Sequence, residues 1–267
     1  MQLRRSALAL PLSIVLAAAL AVPGALAASP NETAAPTSAA TATRPTKLDL
    51  ADATDFVAQT NFVQCVGASM QMMLNIMDSG ADRSARTQLR LQNLARDLSG
   101  PTRAGFQRQG ASVRGWSGGL NQLGAGPYRL VGTETLDQAL RLAAKAIGTT
   151  GKPVGLLVWS GRHAWVMSGF HATGDPRVTD DYEVTRAIVM DPLYPYGSSK
   201  WGPSPKPRQA LAPSVLAKQF VPRRRGTWAG APIGSPTTAT LSAFSGKYVL
   251  VLPYAPTRIA RDRHIAA

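Results

Sequence analysis

Cys65 is the only cysteine in the chain, so its thiol has no internal partner for a disulfide. A thiol works as a nucleophile when ionised and when a base stands beside it. The residue types needed for that chemistry occur in the order Gln59, Cys65, His163, Asp191. In that set, Cys65 is the candidate nucleophile and His163 the candidate base. Asp191 would fix the imidazole's tautomer and orientation. Gln59, six residues before Cys65, would offer a side-chain N–H to a developing oxyanion, together with the backbone N–H of Cys65. Gln64 is a poorer candidate, because adjacency to the nucleophile limits where its amide can point. His171 and His264 compete with His163 for the role of base. Each residue also has an ordinary reading: a buried small side chain for Cys65, a loop histidine for His163, a turn aspartate for Asp191 and a solvated glutamine for Gln59.

The elements that would carry these groups follow from apolar spacing. Val66, Met70, Met73, Leu74 and Met77 recur at helical intervals, which puts Cys65 at a helix start. There the unpaired backbone N–H groups and the helix dipole favour negative charge on sulfur. A second amphipathic helix is expected over Ser84 to Leu98, closed by Gly100-Pro101. A short helix is expected within the glycine-rich stretch Gly105 to Gly126. A further helix should begin at Thr133, capped by Thr133 or Glu134, and end near Gly148. The period then changes. Pro153 to Trp159, Ala164 to Phe170 and Val184 to Met190 read as strands. A tight Gly161-Arg162 link would join the first two as a hairpin with His163 at the start of its second strand. Asp191 would end the third strand. A proline-rich loop (Pro192 to Pro213), a short helix to Phe220 and a last strand, Lys247 to Leu252, complete an α+β order.

The segments Gln59-Thr-Asn-Phe-Val-Gln-Cys65-Val-Gly-Ala-Ser69, Gly151-Lys-Pro-Val-Gly-Leu-Leu-Val-Trp159, Gly161-Arg-His163-Ala-Trp-Val-Met-Ser-Gly-Phe170 and Ile188-Val-Met-Asp191-Pro192 together resemble the papain-like cysteine peptidase superfamily. The resemblance is nearest to the leader peptidases borne on bacteriocin exporters and their stand-alone relatives, and it covers about Leu48 to Pro195. It implies a papain-like fold with N-terminal helices packed on a small, mainly antiparallel sheet. It also implies Cys65 as nucleophile, His163 as base, Asp191 as its orienter and Gln59 in the oxyanion hole. The chain departs from the family pattern at Cys65-Val-Gly-Ala, where Cys-Gly-Pro is usual.

Around this domain, residues 1–27 read as a bacterial export signal. Arg4 and Arg5 precede an apolar run from Ala7 to Val22, and Ala25-Leu26-Ala27 supplies a cleavage site. Residues 28–47, rich in Ala, Thr and Pro, read as a disordered linker. The domain is expected over 48–255, with a polar tail at 256–267. These features predict a secreted, extracytoplasmic protein with no membrane span once the signal is removed. Its formal charge of +14, of which Arg4 and Arg5 supply two, favours anionic surroundings such as cell-wall polymers, acidic lipids or nucleic acid. The basic residues are scattered, with one tight run at Arg223-Arg224-Arg225, so no specific nucleic-acid partner is expected. Three histidines and one cysteine offer no metal-ligand spacing, and no cofactor is expected. The leading expectation is a thiol hydrolase cleaving amide bonds in a peptide or protein. Its rivals are a non-catalytic wall- or surface-binding domain and a transglutaminase-like acyltransferase.

Overall fold

The computed structural model describes residues 44–78, 80–100, 109–224 and 243–255. The expected export segment, most of the expected linker, the expected tail, Arg225 and His264 lie outside those residues. The described chain is mixed α+β. Three helices come first: α1 (Cys65–Met77), α2 (Ala85–Asp97) and α3 (Val113–Gln122). A fourth, α4 (Leu136–Thr150), follows the strand β2 (Tyr128–Thr133). The main sheet runs β2, β9 (Tyr248–Pro253), β3 (Val154–Val158), β4 (His163–Ala172), β5 (Val184–Met190), β8 (Gln209–Leu211), and every pairing in it is antiparallel. β1 (Thr46–Asp49) pairs with Gly169–Ala172 of β4, on the edge whose first half is taken by β3. Two residue pairs, β6 (Gly197–Ser198) and β7 (Gly202–Pro203), form a separate small ladder. The one-turn helix α5 (Pro213–Leu216) precedes Phe220.

Alternation along the strands divides the core in two. Val154, Leu156 and Val158 of β3, Trp165 and Met167 of β4, and Leu250 and Leu252 of β9 pack with Leu140, Ala143 and Ile147 of α4. Their neighbours Ala164, Val166, Val249 and Val251 face the other way. These pack with Met70 and Met73 of α1, Leu91 of α2, and Trp116 and Leu120 of α3. Successive strand side chains point to opposite faces, so apolar residues in both registers mark a sheet covered on both sides. Each large side chain removed from water here contributes roughly 1.5–3 kcal/mol.

Four expectations are corrected. β1 begins at Thr46, two residues inside the stretch expected to be linker, where its backbone pairs with Ala172 and His171. Thr133 ends β2 instead of starting a helix. α4 is capped by Thr135, whose side chain accepts from Gln138 N–H while the Gln138 side chain reaches back, a reciprocal cap that the neighbouring Thr133 obscured. The sheet is also larger than expected, with seven strands and α4 on the face opposite α1–α3. Finally, β3 and β4 are joined by four residues, Trp159 to Arg162, not by a two-residue turn. Trp159, Ser160 and Gly161 all have positive φ (56°, 57° and 96°). Side chains larger than hydrogen seldom adopt that region, so the sequence offered no sign of the wider loop.

Candidate active site

The first turn of α1 presents Cys65, half-buried, with no acidic side chain nearby on the helix. Ahead of it the segment 58–67 is held by two glutamines one turn apart on α2. Gln88 donates to the carbonyl of Ala58 (2.9 Å) and accepts from the N–H of Thr60 (2.8 Å). Gln92 donates to the carbonyl of Val63 (2.9 Å) and accepts from the N–H of Gly67 (2.9 Å). Both are buried. The spacing i, i+4 puts them on one helix face. Gly67 makes the approach possible, since a Cβ there would lie 2.7 Å from the Gln88 carbonyl oxygen and 2.8 Å from Gln92 Cβ. A helix start leaves its first N–H groups without intrahelical partners. Gln92 takes that of Gly67, while those of Cys65 and Val66 have no acceptor among the described residues.

His163 is the first residue of β4, and Asp191 directly follows β5. They meet because β4 and β5 are neighbouring antiparallel strands, with Val166 opposite Met190. His163 Nε2 lies 2.6 Å from Asp191 Oδ1, and the two side chains are 4% and 0% exposed. Oδ1 also accepts from the N–H of Leu193 at 2.8 Å, which fixes the carboxylate against the turn that follows. With Nε2 committed to Asp191, Nδ1 is the ring nitrogen left for Cys65. Burial pushes the imidazole pKa down, but hydrogen bonding to Asp191 and to Cys65, reinforced by their charges, outweighs it and raises the value to about 9. The protonated ring is therefore the favoured form at neutral pH.

Gln59 is tied to the same corner, its N–H donating to the carbonyl of Pro192 at 2.7 Å. Its side-chain Nε2 donates to the carbonyl of Asn61 at 2.9 Å, which leaves one amide hydrogen for another acceptor. Gln64 is buried and accepts from the Thr60 hydroxyl, so its oxygen is already engaged within the loop. Along β4, His171 is eight residues from His163, about 26 Å at strand rise. Burial, with Lys47 and Arg186 nearby, holds its pKa below the usual value. The geometry thus gathers Cys65, His163, Asp191 and the backbone of Gln59, and keeps His171 apart. No group of three or more His, Cys, Asp or Glu side chains comes together among the described residues in a way that could hold a metal ion.

One contributor at the histidine was not legible from residue type. Trp159 stacks on the His163 ring, with centroids 4.2 Å apart and planes 26° from parallel. Trp159 is itself anchored by Gln219, which accepts from the indole N–H and from the backbone N–H, both at 2.9 Å. The sequence pattern places Trp159 at the end of a strand; only its positive φ turns the indole over the imidazole. A cavity of about 530 Å³, lined by Gln71, Asn75, Asp82, Arg90 and Lys152 among others, touches neither Cys65 nor His163. Comparison with protein-family models, with curated proteins and with solved structures returned no match.

Proposed function

We propose that the protein is a secreted, papain-like cysteine peptidase, or a closely related thiol hydrolase, acting on amide bonds of a peptide or protein. The observation that carries this reading is the buried His163–Asp191 pair, 2.6 Å apart, acting with the thiol of Cys65 at a helix start. In the proposed mechanism, the Cys65 sulfur attacks the scissile carbonyl carbon and a C–S bond forms. The oxyanion is met by the N–H of Cys65 and by Gln59 Nε2. As the C–N bond breaks, the His163 imidazolium gives its proton to the leaving amine, and a thioester remains. Water then attacks the thioester, losing a proton to His163, and the acid is released with Cys65 and His163 restored. Asp191 holds the ring and favours its protonated form. Trp159 covers one face of that ring.

The test combines an epoxysuccinyl thiol probe with hydrolysis of a fluorogenic peptide pool, on the parent chain and on Cys65→Ala. Labelling at Cys65 and hydrolysis that vanishes in the variant support the proposal. A folded chain that labels no faster than a free thiol and cleaves nothing refutes it and favours a non-catalytic surface-binding domain. Transfer of the acyl group to an added amine, with no hydrolysis, assigns the chain to acyl transfer instead.

A further inference from the structure

The basic run Arg223-Arg224-Arg225 has no part in the chemistry above, yet Arg224 reaches the loop that precedes His163. Its N–H donates to the carbonyl of Ser160 at 3.1 Å. A cleft of about 270 Å³ opens there, lined by Trp159, Ser160, Arg162, Lys200, Trp201 and Arg224. Arg162, Lys200 and Arg224 are exposed cations, and none of them has a carboxylate partner among the described residues. Lys200 Nζ lies 5.1 Å from the centre of the Trp201 ring.

Three like charges around one cleft repel each other, and an anion between them relieves that repulsion. Guanidinium groups present paired N–H donors that match a carboxylate. The walls are built before any ligand arrives. Gln219 ties Trp159 to the carbonyl of Pro203, and the Ser198 hydroxyl accepts from the N–H groups of Lys200 and Trp201. The stem of Arg223 underlies the loop at Gly161, where φ is 96° and a Cβ would come within 3.0 Å of Arg223 Cγ. A preformed site loses less entropy when it binds.

We propose that this cleft is the subsite for an acidic residue on the leaving-group side of the scissile bond, so that the substrate is an acidic peptide. This rests on the peptidase reading. His163 gives its proton to the leaving amine, so the chain beyond the cut passes the imidazole and meets the Trp159–Arg162 loop stacked on it. The side chain that enters the cleft carries a carboxylate, met by Arg162 and Arg224 with Lys200 alongside.

Two measurements test it, one through cleavage and one through binding alone. In the first, a positional library of internally quenched peptides is digested by the full chain and the cut sites are read by mass spectrometry. Asp and Glu should be enriched within the first residues after the cut. Arg224→Glu should lower kcat/KM for those peptides about tenfold, the order of one lost charge-assisted hydrogen bond, and leave neutral peptides and Cys65 labelling unchanged. Lys200→Gln serves as a milder second variant. In the second, tryptophan fluorescence of the full chain carrying Cys65→Ala is titrated with end-capped tetraglutamate, tetraglutamine and polyglycerol phosphate. Saturable binding of tetraglutamate alone, weakened by Arg224→Glu, is the expected result. Hydrolysis with no acidic bias and no tetraglutamate binding overturns the cleft and leaves the peptidase reading standing. Tetraglutamate binding with no hydrolysis of any peptide does the reverse. Binding of polyglycerol phosphate without tetraglutamate overturns the assignment to a peptide.

Discussion

Replacing Asp191 by asparagine removes a charge and keeps a shape. The buried carboxylate, 2.6 Å from His163 Nε2, is among the causes that hold the ring near 9 against the pull of burial. A ring held there instead of at 6.5 favours its protonated form by roughly 3 kcal/mol. Hydrolysis on the proposed mechanism needs that proton, so kcat/KM should fall as pH rises through about 9. In Asp191→Asn the amide oxygen can still accept from the ring and from the N–H of Leu193, but the charge is gone. The basic limb should then move down by about one to two pH units, within the usual range for a charge partner at contact distance. At pH 8.5 the variant should run roughly tenfold below the parent, and near pH 6 the two should differ little. Asp191→Ala also removes the acceptor for Leu193, which should cost roughly 1–3 kcal/mol of stability. It frees the ring as well, and should lower activity by about a hundredfold or more at every pH. The assay is a kcat/KM profile from pH 5 to 10, run beside thermal melts of all three chains. A basic limb that stays near 9 in Asp191→Asn, or activity in Asp191→Ala that falls only with the folded fraction, refutes the role given to Asp191.

Three further outcomes are expected. The fold raises the pKa of His163 above its unfolded value, so the ring's contribution to stability is fully present below 6.5 and is lost as pH rises to about 9. Unfolding free energy from denaturant titrations should therefore decline across that window in the parent, and more shallowly in His163→Ala. His163→Ala should abolish hydrolysis while His171→Ala, on the distant end of β4, keeps most of it; equal losses would mean the wrong histidine has been assigned. Gln92→Ala strips the acceptor from the Gly67 N–H and the donor from the Val63 carbonyl. It should destabilise the chain by roughly 1–3 kcal/mol and slow iodoacetamide labelling of Cys65 at pH 7. Unchanged labelling in a destabilised chain would limit the clamp to a purely structural role.

The parts of this fold that announce themselves do so through local pattern. Apolar spacing from Val66 to Met77 set Cys65 at the head of α1, and the Val- and Trp-rich runs located β3, β4 and β5 to within a residue or two. With those strands adjacent, the meeting of His163 and Asp191 follows from where each strand starts and stops. β2 was missed because Tyr128 to Thr133 follows a glycine-rich stretch, contains Gly132, and owes its pairing to β9, more than a hundred residues further along the chain. No local signal carries that partnership. Gln88 and Gln92 look like the polar side of a surface helix until Gly67 lets α1 approach; they are buried because the segment before Cys65 consumes their amides. Trp159 reads as one more apolar strand residue, and its stacking on His163 depends on a backbone conformation that residue type does not foretell.

Cys65 belongs to the helical layer, whereas His163 and Asp191 belong to the sheet, and α1 docks on that sheet through Met70 and Met73 against Ala164 and Val166. The Ser69 hydroxyl donates to the Ala164 carbonyl at 3.2 Å across the same seam. A chain whose helices are not seated on the sheet therefore holds nucleophile and base on separate bodies. On the proposed function, such a chain is harmless to itself and to its neighbours. On that function, competence depends on the two layers being closed on one another, so the seam between α1 and the sheet ties activity directly to intact packing.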